Sequence, residues 1–185
     1  MKKVLLIVLA SLLALCAAAC GSPSENSSGL LSQNEITELE AQYGTNQAEL
    51  AEALGLPESS FILDVDESER FQVMTLVEGR EIFDKTFTPY FFISNGPEGF
   101  YAVCYQLRLD DSSEPIGYAL FDSICEEAND LYGEPRTPPY SDTPDTYRGA
   151  NWRVGETSFF RVMAIDAEMV ELTYQMIVPG SIYDY

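Results

Sequence analysis

A chain with 30 acidic residues and no histidine has few chemistries open to it. Lack of histidine removes the commonest general base, the commonest zinc ligand and the usual partner of a serine or cysteine nucleophile. The sequence contains no Gly-x-Ser-x-Gly elbow, no phosphate-cradling glycine loop and no dinucleotide fingerprint. An enzyme built from these residues would have to be a carboxylate-based hydrolase, with two carboxyl groups facing each other across about 5–10 Å. The densest acidic run is Asp64, Asp66, Glu67 and Glu69. A calcium loop starting at Asp64 needs glycine at its sixth position and an acid at its twelfth. Glu69 and Thr75 stand there, so the run reads as a solvated loop. Asp110-Asp111, Glu126-Glu127 with Asp130, and Asp142 with Asp145 read as turn formers or the wet side of a helix. No catalytic residue, metal site or cofactor is assigned.

Aromatic side chains offer a different chemistry, that of contact. Tyr90-Phe91-Phe92 on a strand must turn at least one ring to each face. Tyr140, Tyr147 and Trp152 gather around a proline-rich loop, Pro138 to Tyr147. Tyrosine and tryptophan combine large contact area with a polar handle, as protein interfaces and carbohydrate platforms require. That group is the expected contact surface, the competing reading being that these rings fill the core of a sheet.

Two short helices are expected between Asn34 and Leu54, with Ile36, Leu39 and Tyr43 on one stripe and Leu50, Ala53 and Leu54 on the next. Gly55 and Pro57 stop the second. A longer helix is expected from Glu114 to Tyr132, where Tyr118, Phe121, Ile124, Cys125, Ala128, Leu131 and Tyr132 share a face, and Gly133 and Pro135 repeat the stop. Short strands rich in β-branched and aromatic residues follow each stop: 71–77, 81–87, 90–94 and 100–109, then 146–154, 157–165 and 169–178. The last strand of each set is alike, Val103-Cys104-Tyr105-Gln106-Leu107 against Leu172-Thr173-Tyr174-Gln175-Met176. The expected fold is α+β, an antiparallel sheet with helices packed on one face, and the repeated punctuation suggests a diverged duplication of a helix-then-strands unit. Alternation puts Cys104 opposite the Tyr105 face and Cys125 on the helix covering that face, so the two thiols are expected to be free.

At the N-terminus, Met1-Lys2-Lys3, the apolar run Val4 to Leu15 and Ala17-Ala18-Ala19-Cys20 follow the order of a secretory signal. The run is shorter than the roughly 20 residues a spanning helix needs. These residues resemble the precursors of bacterial lipoproteins, and the resemblance implies cleavage after Ala19 and a lipid on Cys20; Cys16 is the poorer candidate because bulky Leu15 precedes it. The expected organisation is a signal peptide over 1–19, the lipidated cysteine and a flexible tether over 20–33, and a single acidic domain over 34–185. The net charge of −20 becomes −22 once Lys2 and Lys3 leave with the signal. Such a surface repels nucleic acid phosphates and anionic headgroups, so nucleic acid is not an expected partner.

The string Gly44-Thr45-Asn46-Gln47-Ala48-Glu49-Leu50 with Leu54-Gly55-Leu56-Pro57, and Leu131-Tyr132-Gly133-Glu134-Pro135 with Trp152, resembles small outer-membrane assembly lipoproteins and β-lactamase-inhibitor proteins. That resemblance implies a non-catalytic, protein-binding module. The expected function is therefore a membrane-anchored envelope lipoprotein, held on the outside of the cytoplasmic membrane or on the outer membrane by the lipid on Cys20, that binds an unidentified envelope protein or ligand. The alternatives are a solute or glycan receptor using aromatic platforms and the carboxylate hydrolase.

Overall fold

The computed structural model of the chain describes residues 28–65, 70–108, 116–140, 148–165 and 169–177. They fall into two compact units divided after Ala102. Each contains antiparallel strands and helices, with more strand than helix, which is broadly the α+β class.

The first unit starts earlier than expected. The tether was read as running through residue 33, yet Ser28, Leu30 and Leu31 are buried, and the Ser28 carbonyl accepts the Phe83 N–H at 2.9 Å. Two leucines side by side are enough apolar area to dock a segment that composition alone reads as linker. Helix α1 (Gln33–Glu40) then begins at a capping box, with Ser32 and Glu35 satisfying each other's backbone N–H groups. Helix α2 (Gln47–Ala53) repeats the device with Asn46 and Glu49. The turn between the helices is tied to the sheet, because Gly44 donates to the Phe100 carbonyl at 3.0 Å and Phe100 donates to the Thr45 carbonyl at 2.7 Å. Gly55, at φ +65°, ends α2 in the left-handed conformation that its sequence position suggested.

The strands of this unit are β1 (Phe61–Val65), β2 (Phe71–Leu76), β3 (Arg80–Ile82), β4 (Lys85–Ser94) and the start of β5 (Phe100–Arg108). Their order is β1-β2-β4-β5, with β3 paired to β4. Two differences from the expected strands have physical causes. β4 is one strand of 10 residues where 81–87 and 90–94 were read separately. Pro89 is accommodated because it lies between the two pairings on that edge, Arg80 at the start of β3 lying opposite Phe87 and Thr75 near the end of β2 opposite Tyr90. The β3–β4 hairpin turns on Phe83 and Asp84, both at positive φ (49° and 57°), a geometry in which Asn-Gly is the usual signal and Phe is rare.

In the second unit the rest of β5 is followed by helix α3 (Ile116–Tyr132) and strands β6 (Thr137–Tyr140), β7 (Arg148–Arg153), β8 (Ser158–Ala164) and β9 (Met169–Met176), ordered β5-β9-β8-β7-β6. Helix α3 lies against β7, β8 and β9. Its stripe is the expected one, with Phe121, Ile124, Cys125 and Ala128 buried. Gly133 ends it at φ +85°. Residues 137–140, read from sequence as part of a loop, form β6, which pairs with β7 through a register irregularity between Thr137 and Tyr140. Two prolines hid this strand; an edge position beside a bulge is where a sheet tolerates them.

Candidate binding surface

Trp152, expected on a contact surface, is instead a core residue with no exposed area. Its indole N–H donates to Asn129 Oδ1 of α3 at 3.1 Å, and its ring lies 5.6 Å from that of Phe160. Phe160 stacks on Tyr174 at 4.6 Å, and the Tyr174 hydroxyl meets that of Tyr132 at 2.9 Å. Register explains the placement: Trp152 pairs with Phe160, and Phe160 with Tyr174, so the three rings share one face of the strands. Tyr140 ends β6 opposite Gly149. Cys20 and Tyr147 lie outside the described residues, as do Asp66, Glu67 and Glu69 of the acidic run; Asp64 is an exposed residue of β1. Among the described residues no three His, Cys, Asp or Glu side chains come together as metal ligands.

A different aromatic surface lies on the first unit. In β4 the side chains alternate, Phe91 and Ile93 buried, Tyr90 and Phe92 partly exposed on the other face. Register puts Val73 beside Phe92, Thr75 beside Tyr90 and Phe71 beside Ser94 on that outer face. Ile62 and Asp64 of β1 join it by pairing with Thr75 and Val73. Tyr101 of β5 closes on Phe92 with ring centroids 6.3 Å apart, and partial burial pushes its phenol up from the ordinary value. Along β2 and β4 this face carries no charged side chain. In a chain with 30 acidic residues, a sheet face of phenylalanine, tyrosine, valine and threonine is set apart from the rest of the surface. Charge depletion with aromatic enrichment is the composition of an interface core.

The exposed large apolar side chains gather at the same end of the unit: Ile62, Leu63 and Val65 of β1, Phe71 of β2, and Val77 just beyond it. No single residue in this surface carries a sequence motif. The strand alternation of Tyr90-Phe91-Phe92 sent at least one ring to each face, but nothing in the sequence separated the partly exposed face from the buried one.

On the second unit, polar side chains lie on the face carrying Arg161, Thr173, Met163 and Glu171. Gln106 donates to Glu171 Oε1 at 2.7 Å, and the enclosed Arg161 Nε has no hydrogen-bond partner among the described residues. Cys104 and Cys125 are buried free thiols, as expected. Burial, with Glu171 adding to it against the Thr173 hydrogen bond and Arg161, pushes the Cys104 thiol up to about 11. Burial and Asp122 push Cys125 up to about 12. Only about one Cys104 thiol in a thousand is then ionised at pH 8, against about one in ten for an unperturbed group at 9. The folded protein should react with a thiol reagent at pH 8 at least ~100-fold more slowly than the denatured chain, and faster as pH rises toward 10. Stopped-flow labelling with and without denaturant checks this; equal rates would contradict the burial of both thiols.

Neither a family model, nor a curated protein, nor a solved structure matches this chain. The surface has to be interpreted from its own chemistry.

Proposed function

We propose that this chain is a lipid-anchored envelope protein that acts by binding another protein and carries out no reaction of its own. The observation that carries the reading is the partly exposed sheet face of the first unit, where Tyr90, Phe92, Tyr101, Phe71 and Ile62 form an aromatic and aliphatic surface without charge along β2 and β4. Side chains spread along neighbouring strands suit a protein partner better than a small solute, which needs a concave site that wraps most of its surface. Tyrosine and phenylalanine on strands contribute contact area with few rotors to freeze, so ordering costs on binding are low. The anchor belongs to the same reading: a signal-like N-terminus ending in Ala19-Cys20 suits a lipid on Cys20 and would hold the binding face outside the membrane.

Helices packed on one face of the strands in each unit would leave the other face for a partner. The two units read as diverged copies of one plan, which the positive-φ glycine stops Gly55 and Gly133 support.

A photo-crosslinking residue at Tyr90 or Phe92, in the full-length protein in its own cells, should give a discrete adduct, and the same residue at exposed Ser123 on α3 should not. Cys20→Ala should abolish lipid labelling and membrane retention, whereas Cys16→Ala should leave both intact. Adducts no more abundant from Tyr90 and Phe92 than from Ser123 would remove the proposed face, and lipid labelling of Cys20→Ala would remove the anchor.

A further inference from the structure

The outermost strand of the first unit is unfinished in two ways. β1 (Phe61–Val65) stands at the end of the strand order, and among the described residues only β2 pairs with it. Antiparallel ladders alternate hydrogen-bonded and non-bonded pairs. The Val77 N–H donates to the Ser60 carbonyl at 2.9 Å, so with the register Phe61↔Leu76, Ile62↔Thr75, Leu63↔Met74 the bonded pairs are Ser60/Val77, Ile62/Thr75 and Asp64/Val73. The backbone N–H and C=O groups of Phe61, Leu63 and Val65 therefore point away from β2, toward the free edge. Their side chains are unfinished too. Leu63 and Val65 face the side on which Met74 and Leu76 are buried, yet they remain 40% and 53% exposed. The apolar layer beneath β2 runs out before it covers β1.

Resting on the binding reading above, we propose that β1 accepts an extended segment of another protein as an additional strand, and that this segment alternates apolar residues with lysine or arginine. Backbone pairing would come from Phe61, Leu63 and Val65. Apolar side chains of the incoming strand would cover Leu63 and Val65. Charge selects the partner: Asp64 lies on the strand, Glu58 and Glu78 are exposed at its flanks, and the whole chain carries −20. A bare apolar edge ordinarily invites pairing with a second copy. Two chains of this charge repel, whereas a basic strand is drawn in.

The geometry supplies a selective test. A proline on an edge strand is tolerated where the lost N–H faces outward. Leu63→Pro removes a donor that β2 does not use, and leaves the Ile62 and Asp64 bonds to β2 in place. The probe is a fluorescein-labelled ten-residue peptide alternating valine and lysine, titrated by anisotropy into the full-length protein in detergent, beside the same peptide with glutamate for lysine. The lysine peptide should bind, the glutamate peptide should bind at least about tenfold more weakly, and Leu63→Pro should weaken the lysine peptide about tenfold with net charge unchanged. Asp64→Lys should weaken it as well without touching the backbone. Near-ultraviolet circular dichroism and melting report whether Leu63→Pro stays folded. Should it unfold, Val65→Pro, at the strand's end, removes the next outward N–H.

Failure of the lysine peptide to bind would overturn the proposal, and so would equal binding by wild type and a folded Leu63→Pro. A dimer seen by sedimentation and abolished by Leu63→Pro would overturn it in favour of a second copy. Crosslinks from Tyr90 or Phe92 that persist in Leu63→Pro would leave the binding face standing and remove only strand addition.

Discussion

Trp152→Ala should lower the stability of the second unit by about 3–5 kcal/mol, the range for truncating a large buried aromatic. The side chain has no exposed area and lies between α3 and Phe160. Removing it leaves a cavity beside Phe160, whose ring is stacked on Tyr174, itself tied to Tyr132 through their hydroxyls. Trp152→Phe should cost only about 1–2 kcal/mol, because it keeps most of the ring and loses an N–H whose partner, Asn129, is exposed and can turn to water. Chemical denaturation followed by circular dichroism gives both values. As the single tryptophan, Trp152 also reports on itself in the wild type, with emission shifting to longer wavelength as the unit unfolds. A Trp152→Ala protein as stable as wild type would return the indole to the surface, where the sequence had suggested it.

The reason for that suggestion shows where the sequence was legible. Helix α3 could be read because seven apolar residues recur at helical spacing, and Gly133 with Pro135 marks its end. Gly55 served α2 in the same way, and alternation in Tyr90-Phe91-Phe92 gave the split between buried Phe91 and partly exposed Tyr90 and Phe92. Trp152 could not be assigned because a strand presents half its residues to each face, and which face α3 covers is decided by packing. Neighbouring prolines drew Trp152 toward a loop, although residues 137–140 pair with β7. β1 escaped notice because five strand residues lead straight into an acidic run that dominates the local composition. The β3–β4 hairpin escaped because its turn is Phe83-Asp84 and not a glycine pair. Apart from Trp152, these misses concern edges or turns, where a few residues decide and periodicity has no length over which to build. The candidate surface belongs to the same class, since its open aromatic face and its unfinished strand are consequences of what does not pack on them.

Arg80→Met should destabilise the first unit by about 2–4 kcal/mol and loosen the segment through which the chain enters it. The Arg80 side chain is 6% exposed. It donates through Nε to the Gly29 carbonyl at 2.9 Å and through a terminal nitrogen to Glu35 Oε1 at 3.1 Å. The other oxygen of Glu35 accepts from the Ser32 backbone N–H at 2.8 Å. One guanidinium thus holds the Gly29 turn, the capping box of α1 and strand β3 together. Gly29 can lie there only as glycine, for a Cβ would meet the Glu81 carbonyl oxygen at 2.3 Å and its φ is +78°. Methionine keeps much of the volume but leaves a carbonyl without its donor and a carboxylate without its counter-charge. Arg80→Lys should recover less than half of the loss, because a single ammonium cannot reproduce the fork that reaches both oxygens. The Arg148–Asp122 pair is the control, with side chains 30% and 68% exposed. Its loss in Arg148→Met should cost no more than about 1 kcal/mol and should be masked by salt, whereas the Arg80 effect should survive salt. Limited proteolysis adds a local readout: cleavage near Leu30 and Leu31, buried in the wild type, should appear in Arg80→Met before global unfolding. Equal costs for the two arginine substitutions would mean that burial does not set the strength of these pairs, and an uncut Leu30-Leu31 segment would mean that Arg80 does not hold the entry of the chain.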